Sequence, residues 1–260
     1  MLLAVDVGNT NTVLGLYEAD RLVHDFRIET SKGRTTDEYL VTLLSLLQVC
    51  GVGRNQVKAS ILASVVPALN DTWVECVDRA FDHDMLVVGP GIKTGMPILY
   101  ENPREVGADR VVNAVAAFER TRAATLVVDF GTATTFDAIS AKGEYLGGAI
   151  CPGVSISADA LYQRASKLPR VDVVAPARVI GRNTVASMQA GIVFGYVALV
   201  DGMVARFDEE YGARMRVLAT GGLGGLFAEH CVRIEEFDPD LTLDGLRILF
   251  ERNQPNPGHV

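Results

Sequence analysis

Short apolar runs alternate with polar turns along the first half of the chain. Three such runs follow one another closely from Leu2, and their polar separators predict consecutive strands. A polar segment from Thr35 to Glu38 then precedes apolar residues at helical spacing, which favours a capped helix start. The predicted elements are strands over 2–7, 12–17 and 22–28, a helix beginning near Thr35, a strand over 58–65, a helix after Pro67 and a strand over 85–88.

The same order of elements begins again at Leu126. Strands alternating with helices indicate an α/β fold with helices on the faces of the sheets. We therefore expect two lobes, residues 1–118 and 119–260, with a flexible tail over 252–260. The predicted elements are strands ending at Asp129 and over 134–140 and 145–150, helices over 155–162 and 187–207, a strand over 216–220, a helix over 226–230 and a short strand near 233–236.

One polar phrase occurs once in each half, at the end of the first strand. An apolar run leads to Asp6, with Gly8 two residues later, and another leads to Asp129 and Gly131. Small hydroxyl or amide side chains follow in both cases. Glycine permits close approach or positive φ, and an aspartate can hold a cation against phosphate oxygens. The repeat predicts two related half-structures that face one nucleotide; a polar hairpin turn with Asx-type hydrogen bonds is the simpler alternative.

Composition narrows the range of partners. The 260 residues are 48% hydrophobic and 22% charged, with a net charge of -8 and a pI near 5.1. We expect no nucleic-acid partner, because phosphate backbones require a basic surface. Four scattered cysteines lack metal-ligand spacing, so reduced and mostly buried thiols are expected.

The first apolar run stops at Asp6 and has no basic leader, so it is interpreted as a strand rather than a signal peptide. Uninterrupted apolar runs stay shorter than the ~18 residues of a membrane span. We expect a cytoplasmic protein without a membrane partner.

Combined motifs then point to a family. Asp-x-Gly-x-Thr from Asp6, echoed by Asp-x-Gly-Thr from Asp129, resembles the actin, hexokinase and Hsp70 ATPase superfamily, and Ala219-Thr220-Gly221-Gly222 resembles its adenosine motif. Together with Gly107-Ala108-Asp109-Arg110 and the segment from Gly147 to Gly153, the chain resembles a type III pantothenate kinase. This resemblance implies two duplicated ribonuclease H-like (actin-like) lobes, each a mixed sheet flanked by helices, with a nucleotide cleft between them.

The resemblance also implies the activity. Members of the family phosphorylate pantothenate with ATP to 4'-phosphopantothenate, the first step of coenzyme A biosynthesis. Asp6 would hold Mg²⁺ through water, Asp129 would bind a monovalent cation (K⁺ or NH₄⁺), and Thr132 would donate to the terminal phosphate. The residues implied in ATP binding are Asp6, Val7, Gly8, Asn9, Thr10, Asn11, Thr12, Val13, Thr132, Gly221 and Gly222.

Asp109 lies ahead of an amphipathic helix, where an N-cap role is the simple explanation. The resemblance instead implies that Asp109 is the catalytic base for the primary hydroxyl of pantothenate. Arg110 would bind the substrate carboxylate, since its guanidinium offers a fork of donors near a helix N-terminus. Gly107 and Ala108 would complete this substrate-binding element.

Two further substrate contacts are implied, each with a structural alternative. Tyr100 would line the pantothenate pocket, or its ring would simply pack in the core. Thr184 would contact substrate, or would cap the following helix. The resemblance favours a homodimer through the apolar stretch 192–207, with Thr184 reaching the partner's site.

Two other functions stay open from the residues alone. A non-enzymatic nucleotide-binding relative would be expected to have degraded catalytic residues, whereas Asp6, Asp109 and Asp129 are all present. Another metabolite kinase or a phosphatase of the superfamily would be expected to lack Gly-Ala-Asp-Arg at this position.

Overall fold

A computed structural model describes residues 1–254 of the chain. Its contacts divide the chain into two compact units. The first unit comprises Met1–Gly95, Glu101–Ala116 and the segment that begins at Leu241; the second comprises Met96–Tyr100 and Ala117–Asp240. The expected lobe of 119–260 is corrected at its C-terminal end, because the last helix packs with the first unit.

The first unit is built on a mixed five-stranded sheet. Its central strand β1 pairs antiparallel with β2 and parallel with β4, and the strand order is β3-β2-β1-β4-β5. The elements are β1 Leu2–Val7, β2 Asn11–Glu18, β3 Arg21–Glu29, α1 Thr36–Val49, β4 Ala59–Ser64, α2 Asn70–Phe81 and β5 Met85–Val87, with α3 Ala108–Thr121 beginning in this unit.

The second unit repeats this sheet. Its central strand β6 pairs antiparallel with β7 and parallel with β9, and the order is β10-β9-β6-β7-β8. The duplicated α/β fold predicted from the sequence is thereby confirmed. The elements are β6 Thr125–Phe130, β7 Ala133–Ile139, β8 Tyr145–Pro152, α4 Val154–Arg164, α5 Thr184–Tyr211, β9 Arg216–Thr220, α6 Gly224–Ala228 and β10 Glu236–Phe237.

The two central strands share one burial pattern. In β1 and in β6, four buried residues precede one half-buried residue and then one more buried residue. The half-buried position is Asp6 in the first strand and Asp129 in the second. Both faces of each strand are otherwise covered, as expected for a central strand with helices on the sheet. Each aspartate is therefore a half-buried polar residue near the C-terminal end of a mostly apolar strand.

Helix α1 begins where the sequence predicts. The backbone N–H of Thr35 donates to Glu38 Oε2 over 2.7 Å, and the Glu38 N–H donates to Thr35 Oγ1 over 3.4 Å. These reciprocal bonds form a capping box and satisfy N–H groups that would otherwise lack helical partners. Tyr39, Leu43 and Leu47 then bury the inner face of the helix.

The last helix, α7 Leu241–Asn253, was absent from the predicted elements. It contacts β1, β2 and β4, and Tyr17 on β2 donates its hydroxyl to Asp244 Oδ1 over 2.9 Å. The predicted flexible tail over 252–260 is therefore wrong at its start. Asn253 is helical and accepts a hydrogen bond from the Lys93 N–H over 2.9 Å. Residues 255–260 lie outside the described part of the chain.

Helix α5 is longer than predicted and is strongly apolar. Within residues 1–254 it is the one helix long and apolar enough to cross a membrane by length and composition, and 33% of its most apolar window is buried. We interpret α5 as a core helix of the second unit because its inner face packs against the sheet. The buried residues on that face are Met188, Ile192, Val193, Tyr196, Val200 and Val204.

The four cysteines are free, as expected. Cys76 and Cys231 are buried, whereas Cys50 and Cys151 are half-buried. Burial raises the pKa of the Cys76 and Cys231 thiols to about 12, so both stay protonated at neutral pH.

A glycine in α7 makes a testable contact with α3. A Cβ added to Gly245 would lie 2.3 Å from the carbonyl oxygen of Val112, which is backbone and cannot rotate away. We predict that Gly245→Ala lowers the free energy of unfolding by about 1–3 kcal/mol, measured by urea denaturation. The control is Gly202→Ala in α5, where the added Cβ meets nothing within 4 Å. That variant should match or exceed wild-type stability; equal destabilisation of both variants would contradict the packing argument.

Candidate active site

The first polar loop is a tight hairpin between β1 and β2. Val7 pairs with Thr12, so Gly8 to Asn11 form the connection, and the Gly8 N–H donates to the Asn11 carbonyl over 3.0 Å. The fully buried Thr12 hydroxyl lies 2.8 Å from the Thr30 hydroxyl at the end of β3. The loop is therefore fixed on both sides by the sheet.

Side chains on this loop differ in exposure. Asn9 and Thr10 are exposed, Asp6 is half-buried, and Val7 is buried. A Cβ on Gly8 would lie 2.9 Å from the Asn11 carbonyl oxygen, so glycine is needed for close backbone packing. The φ angles of Gly8 and Gly131 lie outside the left-handed region, so the option of positive φ is excluded for both.

The second polar loop has the same design and is one residue shorter. Phe130 pairs with Thr134, which leaves Gly131 to Ala133 as the connection. Thr134 is fully buried, as is Thr12 in the first loop, and Thr132 is exposed. A half-buried carboxylate thus precedes an exposed hydroxyl in each unit.

Two glycines lie tightly against this second loop. Gly221 has a φ of +88°, and a Cβ there would lie 2.4 Å from Asp129 Oδ1. A Cβ on Gly153 would lie 2.1 Å from the Thr132 carbonyl oxygen. Strand β9 ends with Thr220 opposite Asp129, which delivers the Gly221-Gly222 turn to this place. The structure thus brings Asp129, Thr132 and the Gly-Gly turn together.

The Gly-Ala-Asp-Arg element forms the start of α3. Asp109 is the second helical residue, and its Oδ1 accepts the Arg110 N–H over 2.8 Å. A Cβ on Gly107 would lie 2.5 Å from that same oxygen, so glycine makes room for the carboxylate. Arg110 is buried, with a relative exposure of 8%. The carboxylate of Asp109 accepts from the first helical turn, but Asp109 itself lies inside the helix rather than at the N-cap.

Burial raises the pKa of the Asp109 carboxyl above its usual value, while the hydrogen bond from the Arg110 backbone and the Arg110 charge act in the opposite direction. A carboxylate with a raised pKa is a stronger base than an exposed one, and such perturbed groups are concentrated at functional sites.

Tyr100 and Thr184 occupy different settings in the second unit. Tyr100 is half-buried, with its ring centroid 6.4 Å from that of Tyr145. Thr184 is exposed and is the first residue of α5. The capping alternative for Thr184 is wrong, because Asn183 is the N-cap and its Oδ1 accepts the Ala186 N–H over 2.8 Å. The Thr184 side chain is therefore not needed to start the helix.

The side chains of the two polar loops suit a cation that takes most of its ligands from phosphate groups and water. Among the described residues, His, Cys, Asp and Glu form no group of three or more that could hold a metal ion. Asp6 and Asp129 instead offer single carboxylates beside exposed backbone and hydroxyl groups. Mg²⁺ in nucleotide sites commonly uses one or two carboxylates and completes its shell with phosphates and water.

Comparison with known proteins decides the family. Residues 2–206 match the family model for type III pantothenate kinases. The chain belongs to the type III pantothenate kinase family. A member from Anaeromyxobacter sp. (strain Fw109-5) is 61% identical over 98% of this chain and 100% of its own length. One from Myxococcus xanthus (strain DK1622) is 57% identical over 97% of this chain and 99% of its own.

Solved structures support the fold independently. The inorganic polyphosphate/ATP-glucomannokinase of Arthrobacter sp. strain KM aligns with a TM-score of 0.51 at 12% identity, over 97% of this chain and 99% of that one. The ethanolamine utilization protein EutJ of Carboxydothermus hydrogenoformans aligns with a TM-score of 0.57 at 16% identity, over 95% and 89%. At these identities the likeness concerns fold alone.

Family membership confirms the enzyme class inferred from the combined motifs. The type III pantothenate kinases are kinases that phosphorylate pantothenate in coenzyme A biosynthesis. A kinase of this family uses ATP together with a divalent metal. The non-enzymatic relative and the kinase for another metabolite are accordingly set aside.

Sequence reasoning missed the packing roles of Gly153 and Gly147. Both fall in the segment that helped to reveal the family, but no role was assigned to either. Gly153 contacts the second loop, and Gly147 has a φ of +124° and lies under the Tyr100 ring. The available signal was the density of glycine in a strand, where glycine often marks a close approach of other atoms.

The contact of Gly153 with Thr132 generates a prediction. A methyl group at Gly153 must displace the loop backbone, so Gly153→Ala should raise the KM for ATP about tenfold or more through misplacement of Thr132. Steady-state kinetics with ATP varied will measure this, with Gly202→Ala as the control expected to keep the wild-type KM. An unchanged KM for ATP in Gly153→Ala would show that the loop position is not critical.

Proposed function

We propose that the kinase reaction is carried by Asp109 and Arg110 on the substrate side. Arg110 binds the pantothenate carboxylate, and Asp109 accepts the proton of the primary hydroxyl. Gly107 and Ala108 shape the start of the helix so that its N–H groups and dipole favour the anionic substrate. Tyr100 lines the pantothenate pocket, and Thr184 adds a polar contact to the substrate.

On the nucleotide side, the two polar loops bind ATP. Residues Asp6 to Val13 offer backbone N–H groups and small side chains to the phosphates, and Thr132 donates to the terminal phosphate. Gly221 and Gly222 form a flat turn against the adenosine, because they present no Cβ. The support is chemical: both loops end an apolar strand with a carboxylate and expose hydroxyl groups.

Asp6 would hold Mg²⁺ through water, and Asp129 would hold K⁺ or NH₄⁺. Such cations neutralise the charge of the phosphates while the phosphoryl group is transferred. Neither polar loop contains a lysine, so the positive charge must come from elsewhere. Single carboxylates with neighbouring hydroxyl groups fit both ions.

The reaction exchanges one P–O bond for another. The hydroxyl oxygen of pantothenate attacks the γ-phosphorus, its proton passes to Asp109, and the bond between the γ-phosphorus and the bridging oxygen breaks to release ADP. A loose transition state needs orientation more than strong base assistance. The observation that carries this proposal is the partly buried Asp109 carboxylate, held at the start of α3 by the Arg110 N–H.

We also propose that the protein is a homodimer through α4, α5 and their connecting segment. This region carries several large apolar side chains that are exposed in the single chain, and a concentration of exposed apolar side chains favours an interaction site. A cavity of about 650 Å3 between α4 and α5 is lined by Leu161, Ile192 and Tyr196 among others. The exposed apolar residues are Ile156, Leu161, Tyr162, Val174, Val179, Ile180 and Val185.

We also propose that the protein is cytoplasmic and that it has no nucleic-acid or membrane partner. The net charge of -8 is unsuited to nucleic acid. The substrates are small and water-soluble, and dimer formation would cover the apolar surface beside α5.

The function is tested by release of ADP. Purified protein with ATP, Mg²⁺, K⁺ and pantothenate should release ADP in step with 4'-phosphopantothenate. Asp109→Asn should lower turnover at least about 100-fold, because the proton acceptor is lost, while ATP binding stays within twofold. Asp71→Asn is the control, since Asp71 also lies in the first turn of a helix but outside the site. Substantial turnover by Asp109→Asn would contradict the assigned role.

The pH profile gives a second measure of Asp109. The base must be ionised, and its pKa is raised by burial, so kcat/KM should fall as the pH drops through this raised value. The acidic limb should therefore lie above the ordinary value of an aspartate, about 4. A limb at or below that value would contradict a buried base.

The dimer is tested by sedimentation velocity at assay concentration. Wild type should sediment as a dimer and the Leu161→Glu/Ile180→Glu variant as a monomer, because charges would enter an apolar contact. Val232→Glu is the control, since Val232 is 86% exposed but lies outside this surface. A fully active wild-type monomer would contradict the proposal.

A further inference from the structure

The segment 96–100 is hydrogen-bonded to Tyr145 of the second unit. Tyr145, at the start of β8, uses both backbone groups: its N–H donates to the Pro97 carbonyl over 2.9 Å, and its carbonyl accepts the Leu99 N–H over 2.8 Å. Ile98 forms an isolated parallel bridge with the same residue. The chain on either side, up to Gly95 and from Glu101, belongs to the first unit. The position of Tyr100 therefore depends on Tyr145.

Tyr145 is itself held by a buried carboxylate. Its hydroxyl donates to Asp137 Oδ1 over 2.7 Å, and both residues have zero relative exposure. The other oxygen, Asp137 Oδ2, accepts from the Thr135 hydroxyl over 3.1 Å. A buried carboxylate is costly unless it is hydrogen-bonded, so this pair is strongly constrained.

The strand geometry completes the support under Tyr100. The register of β7 and β8 shifts here, with Ala138 opposite Gly147 and Ile139 opposite Tyr145. Gly147 has a φ of +124°, and a Cβ there would touch the Tyr100 ring at 3.7 Å. The ring of Tyr100 thus lies over a glycine and beside the ring of Tyr145, 6.4 Å between centroids and tilted by 51°.

We propose that Asp137 and Tyr145 are positioning residues that set the affinity for pantothenate by fixing the segment that carries Tyr100. This inference rests on the proposed role of Tyr100 as a pantothenate contact. Asp137 accepts the hydrogen bond of the Tyr145 hydroxyl, and the backbone of Tyr145 is hydrogen-bonded to the segment 97–99. Tyr100 is the next residue along the chain, so its position depends on these bonds. The contacts from Asp137 through Tyr145 to Tyr100 do not pass through the residues assigned to ATP binding, so we expect the effect to concern one substrate only.

The main test is Tyr145→Phe, which keeps the ring and removes the hydroxyl. The KM for pantothenate should rise about tenfold, the scale of one lost hydrogen bond between buried groups, while the KM for ATP stays within twofold. Thr135→Val, which removes the donor to Asp137 Oδ2, should shift the pantothenate KM in the same direction by less. Tyr17→Phe is the matched control, because Tyr17 is also fully buried and donates to an aspartate, Asp244, in the first unit. Its pantothenate KM should stay at the wild-type value.

A double-mutant cycle separates positioning from general damage. In a Tyr100→Ala background, Tyr145→Phe should cause little further rise in the pantothenate KM, because its effect passes through Tyr100. A full additional rise, an equal rise in the KM for ATP, or no rise in the wild-type background would each overturn the proposal.

Hydrogen exchange gives a readout that does not depend on activity. The Leu99 amide should exchange faster in Tyr145→Phe than in wild type and Tyr17→Phe, as measured by mass spectrometry of peptides covering 96–100. Unchanged exchange would overturn the anchoring step. Faster exchange in a protein that shows no pantothenate-dependent ADP release would leave the anchor intact and contradict the proposed function instead.

Discussion

Hydrogen-bonded pairing of a buried central strand with its hairpin partner is the constraint on which the candidate site depends. In each unit this pairing continues to the residue after an aspartate, with Val7 opposite Thr12 and Phe130 opposite Thr134. The apolar faces of the strand fix the register, since a slip of one residue would move its side chains to the opposite faces. The carboxylate is therefore held at the strand end, and the loop beyond it is short.

Close packing at glycine extends this constraint to the surroundings of the loops. Gly153 and Gly221 let backbone and carboxylate atoms of the second loop approach where any Cβ would collide. At α3, Gly107 does the same for the Asp109 carboxylate. These three glycines thus limit where the second loop and the Asp129 and Asp109 carboxylates can lie.

Local sequence signals predicted the elements that have strong periodicity or clear end signals. The hairpins around Asp6 and Asp129 and the capping box at Thr35 belong to this group. Helix α7 was missed although its buried leucines alternate with charged residues as in an amphipathic helix. Its packing partners lie more than a hundred residues away in sequence and are visible only in the structure. The sequence offers capping by Thr184 as an alternative because Asn183 and Thr184 are both good capping residues, and only geometry shows that Asn183 is the cap.

The combined motifs predict the candidate site residues as a set, and their roles stay predictions, whereas the contacts that support them are visible only in the structure. No local pattern connects Tyr145 with the segment 97–99, and the positive φ of Gly147 and Gly221 is a property of tertiary packing. Long-range contacts of this kind have no short-range signature in one sequence. The sequence therefore predicts the enzyme class, and the structure adds the contacts that hold the candidate residues in place.

The proposal that Asp6 and Asp129 both contribute to ATP binding is tested by calorimetric titration with a non-hydrolysable ATP analogue in Mg²⁺ and K⁺. We predict one analogue bound per chain, with that single event weakened about tenfold or more in both Asp6→Asn and Asp129→Asn. Two independent binding events per chain, or unchanged binding in either variant, would contradict it.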